Sequence, residues 1–92
     1  MTGDAVMKIG IAGTLESNDA MITIKESNTF KIEIHSIVDL LFHDQIEKVI
    51  KDTLIEFNLD KVEVACNDMG ALDYTLRARL ITAIERMFGR NV

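Results

Sequence analysis

The chain of 92 residues carries 15 Asp and Glu against 10 Lys and Arg, a formal net charge of −5, and 48% of it is hydrophobic, with no Trp. A length near the lower limit for independent folding admits one domain with a modest, aliphatic two-layer core. The acidic balance, with no Lys or Arg cluster to track phosphates, excludes nucleic acid as a partner and leaves a surface suited to docking on basic patches of larger subunits.

Residues 1–6 are small and polar and read as a disordered leader, with a single domain over 7–92 and Met7 as a second candidate start. The first residues have neither the basic nor the apolar segment of a signal peptide. No run reaches the roughly 18 apolar residues of a membrane span, so no membrane partner is expected. Ile9 and Ile11 alternate over 8–12 as a weak edge strand interrupted by Gly10 and Gly13. A short polar turn follows, and it carries Ser17.

Ala20, Ile22 and Ile24 then share one face of a strand over 20–25, and Phe30, Ile32 and Ile34 alternate with Lys31, Glu33 and His35. The two runs flank the turn residues Glu26, Ser27, Asn28 and Thr29, which predicts an antiparallel hairpin with one buried face. Residues 37–42 are apolar and read as a helical turn leading out of the strand. Asp44 and Glu47 have the spacing of an N-cap and its N3 partner, which starts the first helix there. Ile46, Val49, Ile50, Leu54 and Phe57 make its apolar face, and Asn58 stops it. Val62, Val64 and Cys66 alternate in a further strand, so the strand, helix, strand order predicts a crossover back into the same sheet. Residues 67–70 turn the chain, and Asp68 caps a last helix from Ala71. Leu72, Leu76, Leu80, Ile84 and Met87 form its stripe, and Gly89 ends it. The predicted fold class is α+β: a small two-layer sandwich, mainly ββαβα in order, with one sheet of three to four strands covered by two helices.

Few side chains suggest chemistry. His35 faces outward, His43 precedes a helix start, and neither has a third ligand at metal spacing, so no metal site is expected. Cys66 lies on the apolar side of its strand and reads as a core residue rather than a nucleophile. As the only cysteine it makes no internal disulfide and fits a reduced, cytoplasmic setting. A Ser-His-Asp site would need Ser17 to meet His35 or His43, and no nucleophile elbow surrounds Ser17. Catalysis by this chain alone is therefore not expected. Gly10 and Gly13 fit neither the P-loop nor the dinucleotide fingerprint, and Glu16 and Asp19 would repel a bound phosphate. Asp73 and Arg77 stand four apart on the last helix, which allows an ion pair. Arg77 and Arg79 bracket Ala78 and point different ways. They read either as a solvated face or as one Arg anchoring the Ser17 turn or a phosphate attached to it. The residues by themselves thus lead to a small carrier or interaction domain.

Ala12-Gly13-Thr14-Leu15-Glu16-Ser17-Asn18-Asp19, followed by Gly70-Ala71-Leu72-Asp73 and Leu76-Arg77-Ala78-Arg79, resembles the acyl carrier (gamma) subunit of bacterial citrate lyase, over the chain from Met7 onward. The resemblance implies that Ser17 is the attachment site of a prosthetic group, phosphoribosyl-dephospho-coenzyme A (phosphoribosyl-dephospho-CoA), joined by a phosphodiester to its hydroxyl. It implies supporting roles toward the loop or the arm for Glu16, Asp19, Asp73, Arg77 and Arg79. It also implies a non-catalytic subunit of a cytoplasmic complex. The thiol-borne acetyl group would exchange for citryl on the alpha subunit, a citrate:acyl carrier transferase. The beta subunit, a citryl lyase, would then release oxaloacetate. A prosthetic-group transferase and an acetylating ligase would be further partners. The family pattern has Gly after the Ser, where this chain has Asn18, a residue that tolerates left-handed backbone. Related carriers serve malonate decarboxylase with the same type of group, and the Thr14-Leu15-Glu16 lead favours the citrate lyase branch. Phosphopantetheine carriers fit poorly, being helical bundles with an Asp-Ser-Leu signature at a helix start, whereas Ser17 precedes a strand. The rival from another class is a small regulatory or scaffolding module.

Overall fold

The computed structural model describes residues 8–38 and 40–89; the expected leader over 1–6 and the second start at Met7 lie outside the described residues. Strands β1 (Ile9–Gly13), β2 (Ala20–Glu26), β3 (Lys31–Ser36) and β4 (Val62–Asp68) form one sheet in the order β1-β2-β4-β3. A 3₁₀ turn, Leu40–Phe42, leads into helix α1 (His43–Glu56), and helix α2 (Asp73–Met87) follows β4. The α+β class is as predicted, and residues 37–42 do contain the expected helical turn.

The predicted hairpin is not formed. β4 lies between β2 and β3, antiparallel to the first and parallel to the second. Burial decides the order. Every second residue of β4 is buried, whereas Ile32 and Ile34 of β3 are only half-buried. The strand with the fuller apolar face takes the central slot, and the weaker one takes the edge. A four-residue connection spans the resulting gap of about 10 Å without strain, so alternation alone could not reveal which strand is the neighbour. The predicted crossover does form, with α1 joining the parallel neighbours β3 and β4.

Both helices pack on one face of the sheet, α2 over β1 and β2 and α1 over β3. Ile22, Ile24, Val62, Val64 and Cys66 meet Ile50, Leu54, Leu76, Leu80 and Ile84 in the buried core, each large aliphatic side chain contributing about 1.5–3 kcal/mol. Gly10 shows how close the layers come. A Cβ there would stand 1.9 Å from the Ala83 carbonyl oxygen, so only glycine lets α2 lie on β1. Ile9, Ile11 and Lys25 remain exposed on the other side.

Helix ends depart from the sequence reading at their starts and agree at their stops. The N-cap of α1 is Phe42, two residues ahead of the expected Asp44, so Asp44 lies inside the first turn. α2 begins after Leu72 rather than at Ala71. Asp68 ends β4 and is buried, where its Oδ1 accepts from the Ala71 amide at 2.9 Å and its Oδ2 from the Ser36 hydroxyl at 2.8 Å. It therefore ties β3 to the β4–α2 connection instead of capping the helix. Leu72, expected in the buried stripe, is 59% exposed because it precedes the helix, and Ala83 fills the stripe instead. At the stops, the Asn58 amide donates to the Ile55 carbonyl and the Leu59 amide to the Leu54 carbonyl, both at 3.0 Å. That is the Schellman pattern, with Asn58 left-handed at φ 56°. The Gly89 amide closes α2 on the Arg86 carbonyl at 3.0 Å.

Candidate functional site

β3 and β4 run parallel, so the helices that follow them both start at one end of the sheet. β1 pairs antiparallel with β2, and β2 with β4, which brings the β1–β2 loop to that same end. The loop, residues 14–19, carries Ser17, which is exposed. Among the described residues no hydrogen bond engages the Ser17 hydroxyl.

The rest of the loop is firmly braced. Thr14 Oγ1 accepts from the Glu16 amide at 3.1 Å and donates to Asp19 Oδ2 at 2.7 Å. The Asp19 amide donates to the Glu16 carbonyl at 3.1 Å, closing a turn around Ser17 and Asn18. Asn18 is left-handed at φ 66°, the conformation its side chain tolerates best after glycine. Its amide donates to the Met69 carbonyl at 2.8 Å, and the Met69 amide returns to the Asp19 carbonyl at 2.9 Å. The loop is thereby sewn to the β4–α2 connection by main-chain bonds. Gly13 starts the loop at φ +95°, where a Cβ would lie 1.8 Å from the Ala20 carbonyl oxygen.

Arg79 fixes the loop to α2. Its Nε and Nη2 donate to Asp19 Oδ1 and Oδ2 at 2.8 and 3.1 Å, a fork-to-carboxylate pair. The Asp19 side chain is 13% exposed. The Arg79 hydrogen bonds hold its carboxyl well below the usual carboxylate range against the opposing effect of burial, helped by Thr14 and the Ala20 amide. Asp19 is therefore ionised and already neutralised by its partner. The expected repulsion of a phosphate applies to Glu16 and not to Asp19.

Of the two expected arginines, only Arg79 anchors the loop. Arg77 pairs with Glu56 of α1, and Asp73 accepts from Gln45 Nε2 at 2.6 Å. The ion pair between Asp73 and Arg77 is thus replaced by two contacts from α2 to α1. Glu16 serves the loop through its backbone. Thr14, Met69 and Asn18 complete the bracing. Thr14 belongs to the motif that carries the resemblance, and as a hydroxyl residue in a polar turn it is of the type that closes turns. The Met69 contribution is main-chain and leaves no sequence signal.

The remaining candidates stand apart. His35 lies beside Glu33 and His43 beside Asp44, each at 3.8 Å, and among the described residues neither bonds to Ser17. The sequence showed no third ligand near His43, yet the first turn of α1 brings the ligand atoms of His43, Asp44 and Glu47 within 4.8 Å of one another. Glu47 is already paired with Lys51 at 3.0 Å, and such acidic helix turns are common without an ion. Cys66 is fully buried, and burial, aided by the charge of Asp68, pushes its thiol up to about 12, which makes it inert. No helix among the described residues is long and apolar enough to cross a membrane.

A family model described as Malonate decarboxylase delta subunit (MdcD) matches residues 7–87. The chain is 44% identical to the citrate lyase acyl carrier protein of Halothermothrix orenii over 82 residues, which cover 88% of this chain and 87% of that one. It is 47% identical over 77 residues to the citrate lyase acyl carrier protein of Lactobacillus acidophilus, covering 83% and 79%. Its fold is similar to that of a chain in the crystal structure of a Pseudomonas malonate decarboxylase hetero-tetramer in complex with malonate. The TM-score is 0.70 at 16% identity, covering 87% of this chain and 84% of the other.

Proposed function

The chain belongs to the citrate lyase acyl carrier protein family, and from that membership we propose that it carries acyl groups on a prosthetic arm joined by a phosphodiester to Ser17. The observation that supports this is exposed Ser17, whose hydroxyl has no hydrogen-bond partner among the described residues, on a loop braced through Thr14, the Glu16 and Asn18 backbone and Asp19. The group we assign is phosphoribosyl-dephospho-CoA, which when bound supplies a terminal thiol and hence thioester chemistry. The protein's share is mechanical and electrostatic. Thr14, Asp19 and the Met69 backbone hold the anchor in one place, so that a tethered acyl group stays at a high effective concentration for two different active sites. Arg79 cancels the Asp19 charge beside the anchor, which removes one of the two carboxylates that would oppose a phosphodiester.

In this reading the chain is a non-catalytic subunit. It serves the alpha subunit that transfers citrate onto the carrier and the beta subunit that cleaves citryl, in the cytoplasm. A prosthetic-group transferase and an acetylating ligase load it. Intact mass of the chain purified from its native host, followed by peptide mapping, tests the reading. A nucleotide-sized adduct on the Ser17 peptide is expected. An unmodified mass, with the loading enzymes present and active, returns the chain to the scaffolding reading.

The malonate decarboxylase carrier is the second reading, favoured by the description of the family model and by the fold of the Pseudomonas chain. The 44% and 47% identities to citrate lyase carriers weigh more heavily. Presenting the loaded chain to the subunits of each complex separates the two, by whether citryl or malonyl appears on it.

A further inference from the structure

Among the described residues, the N-cap position of neither helix carries a side-chain cap. Phe42 and Leu72 occupy the N-cap positions, where Ser, Thr, Asp or Asn is the usual choice, and they are 54% and 59% exposed. Two apolar side chains at the same end of the sheet thus forgo capping and also forgo burial. Between them runs a groove of about 240 Å³, lined by the apolar Ile46, Ala71 and Leu76, by Gln45 and Asp73, and by Asp68, whose carboxyl is already bonded to Ser36 and the Ala71 amide. Gln45 Nε2 is committed to Asp73, which leaves the side-chain oxygen of Gln45 as an acceptor among the residues that line the groove. Such a lining suits a ligand with an aliphatic stretch and an N–H donor.

The groove also adjoins the loop that bears the anchor. Gly70 forms part of its wall, and a Cβ on Gly70 would lie 3.6 Å from Asn18 Oδ1, one residue beyond Ser17. The Asn18–Met69 and Met69–Asp19 main-chain bonds fix the loop against that wall. Building on the assignment of Ser17 as anchor, we propose that the groove between the first turns of α1 and α2 is the resting site of the arm. Its aliphatic stretches lie on Ala71, Leu72 and Leu76, and an amide N–H donates to Gln45 Oε1. The arm would be parked there between visits to the two active sites, its thiol end shielded from bulk solvent.

Comparing NMR spectra of the chain with and without the arm, after mass has confirmed the loading, tests this. Shift changes are expected at Phe42, Ala71, Leu72 and Leu76 as well as in the loop. Ala71→Leu, which fills the groove, should abolish the first set, keep the loop changes and speed alkylation of the arm thiol toward that of a free thiol. If Ala71→Leu does not fold, Leu72→Ser at an exposed position should give the same pattern. Changes confined to residues 14–19 and Gly70 in a loaded chain overturn the groove assignment alone. A chain that takes no arm on Ser17 overturns the carrier reading and the groove with it. Groove changes that follow protein concentration in the unloaded chain, or that arise only on adding partner subunits, assign the groove to a second copy or to a partner and overturn the proposal.

Discussion

Ser17 and Ser27 sit in polar loops at opposite ends of β2, and their hydroxyls do opposite things. Ser27 Oγ donates to Glu63 Oε2 at 2.8 Å and accepts from the Thr29 amide at 3.1 Å, and its own amide bonds to the Lys61 carbonyl. That bond to Ser27, ahead of the nearby Lys25 charge, lowers the Glu63 carboxyl below its ordinary range. In the Ser17 loop the corresponding work falls to neighbours: Thr14 closes the turn, Asp19 receives the bonds, and Arg79 ties the result to α2. A turn serine becomes available for chemistry when other side chains close its turn. Composition cannot tell the two serines apart, because both loops are short, polar and flanked by strands.

The sharpest way to break the comparison is to remove each hydroxyl. Ser17→Ala should abolish the mass adduct and reduce activity of the assembled complex to background, while unfolding free energy stays within about 0.5 kcal/mol of wild type. Ser27→Ala should load fully yet unfold at a lower denaturant midpoint, since the Thr29 amide loses its acceptor and Glu63 keeps only Thr29 Oγ1 and Lys25. A complex that cleaves citrate with Ser17→Ala in place would sink the carrier reading.

Arg79 comes next in size. Arg79→Ala leaves a mostly buried carboxylate unpaired, and a loss of about 1.5–3 kcal/mol is expected by denaturant unfolding. Loading of Ser17 should slow as well, because the anchor loop loses its tie to α2. Arg79→Lys should recover only part of both losses, since an ammonium cannot reproduce the two-pronged contact. Wild-type loading by a destabilised Arg79→Ala chain would mean that bracing serves the fold alone.

Acid offers a finer test of the same pair. The folded carboxyl of Asp19 is depressed, chiefly by the Arg79 hydrogen bonds. Its contribution is therefore complete above the ordinary carboxylate range and is lost as pH falls through the folded value. The stability gap between wild type and Arg79→Ala should be constant at neutral pH and narrow progressively below about pH 4. An equal gap at about pH 7 and about pH 3 would assign the effect to packing of the arginine stem instead.

Much of this was legible in the chain. Alternation placed all four strands, and helical spacing placed both apolar stripes, because burial on one face writes itself into the sequence at a fixed period. Strand order was not legible, since the edge position of β3 reflects how fully β4 is buried beside it, a property of the packed sheet. Helix starts were misread because Asp44 and Asp68 look like caps, whereas the observed N-caps Phe42 and Leu72 are apolar. Asn18 was read correctly as a residue able to sit left-handed after the serine. The Met69 backbone bonds could not be read, because a main-chain donor has no letter of its own.

The smallest effect concerns Arg77, and it draws the boundary of the site. Arg77 and Arg79 are two residues apart on α2, so their side chains leave the helix about 200° apart, one toward Glu56 of α1 and the other toward Asp19. The Arg77 and Glu56 side chains are 46% and 49% exposed, and a surface pair of this kind contributes about 0–1 kcal/mol. Arg77→Ala should therefore shift unfolding by less than about 1 kcal/mol, with the difference fading in high salt, and should leave loading of Ser17 at the wild-type rate. Loading slowed as much as in Arg79→Ala, with stability intact, would place Arg77 on the surface that the loading enzyme grips and extend the functional face from the loop across the exposed side of α2.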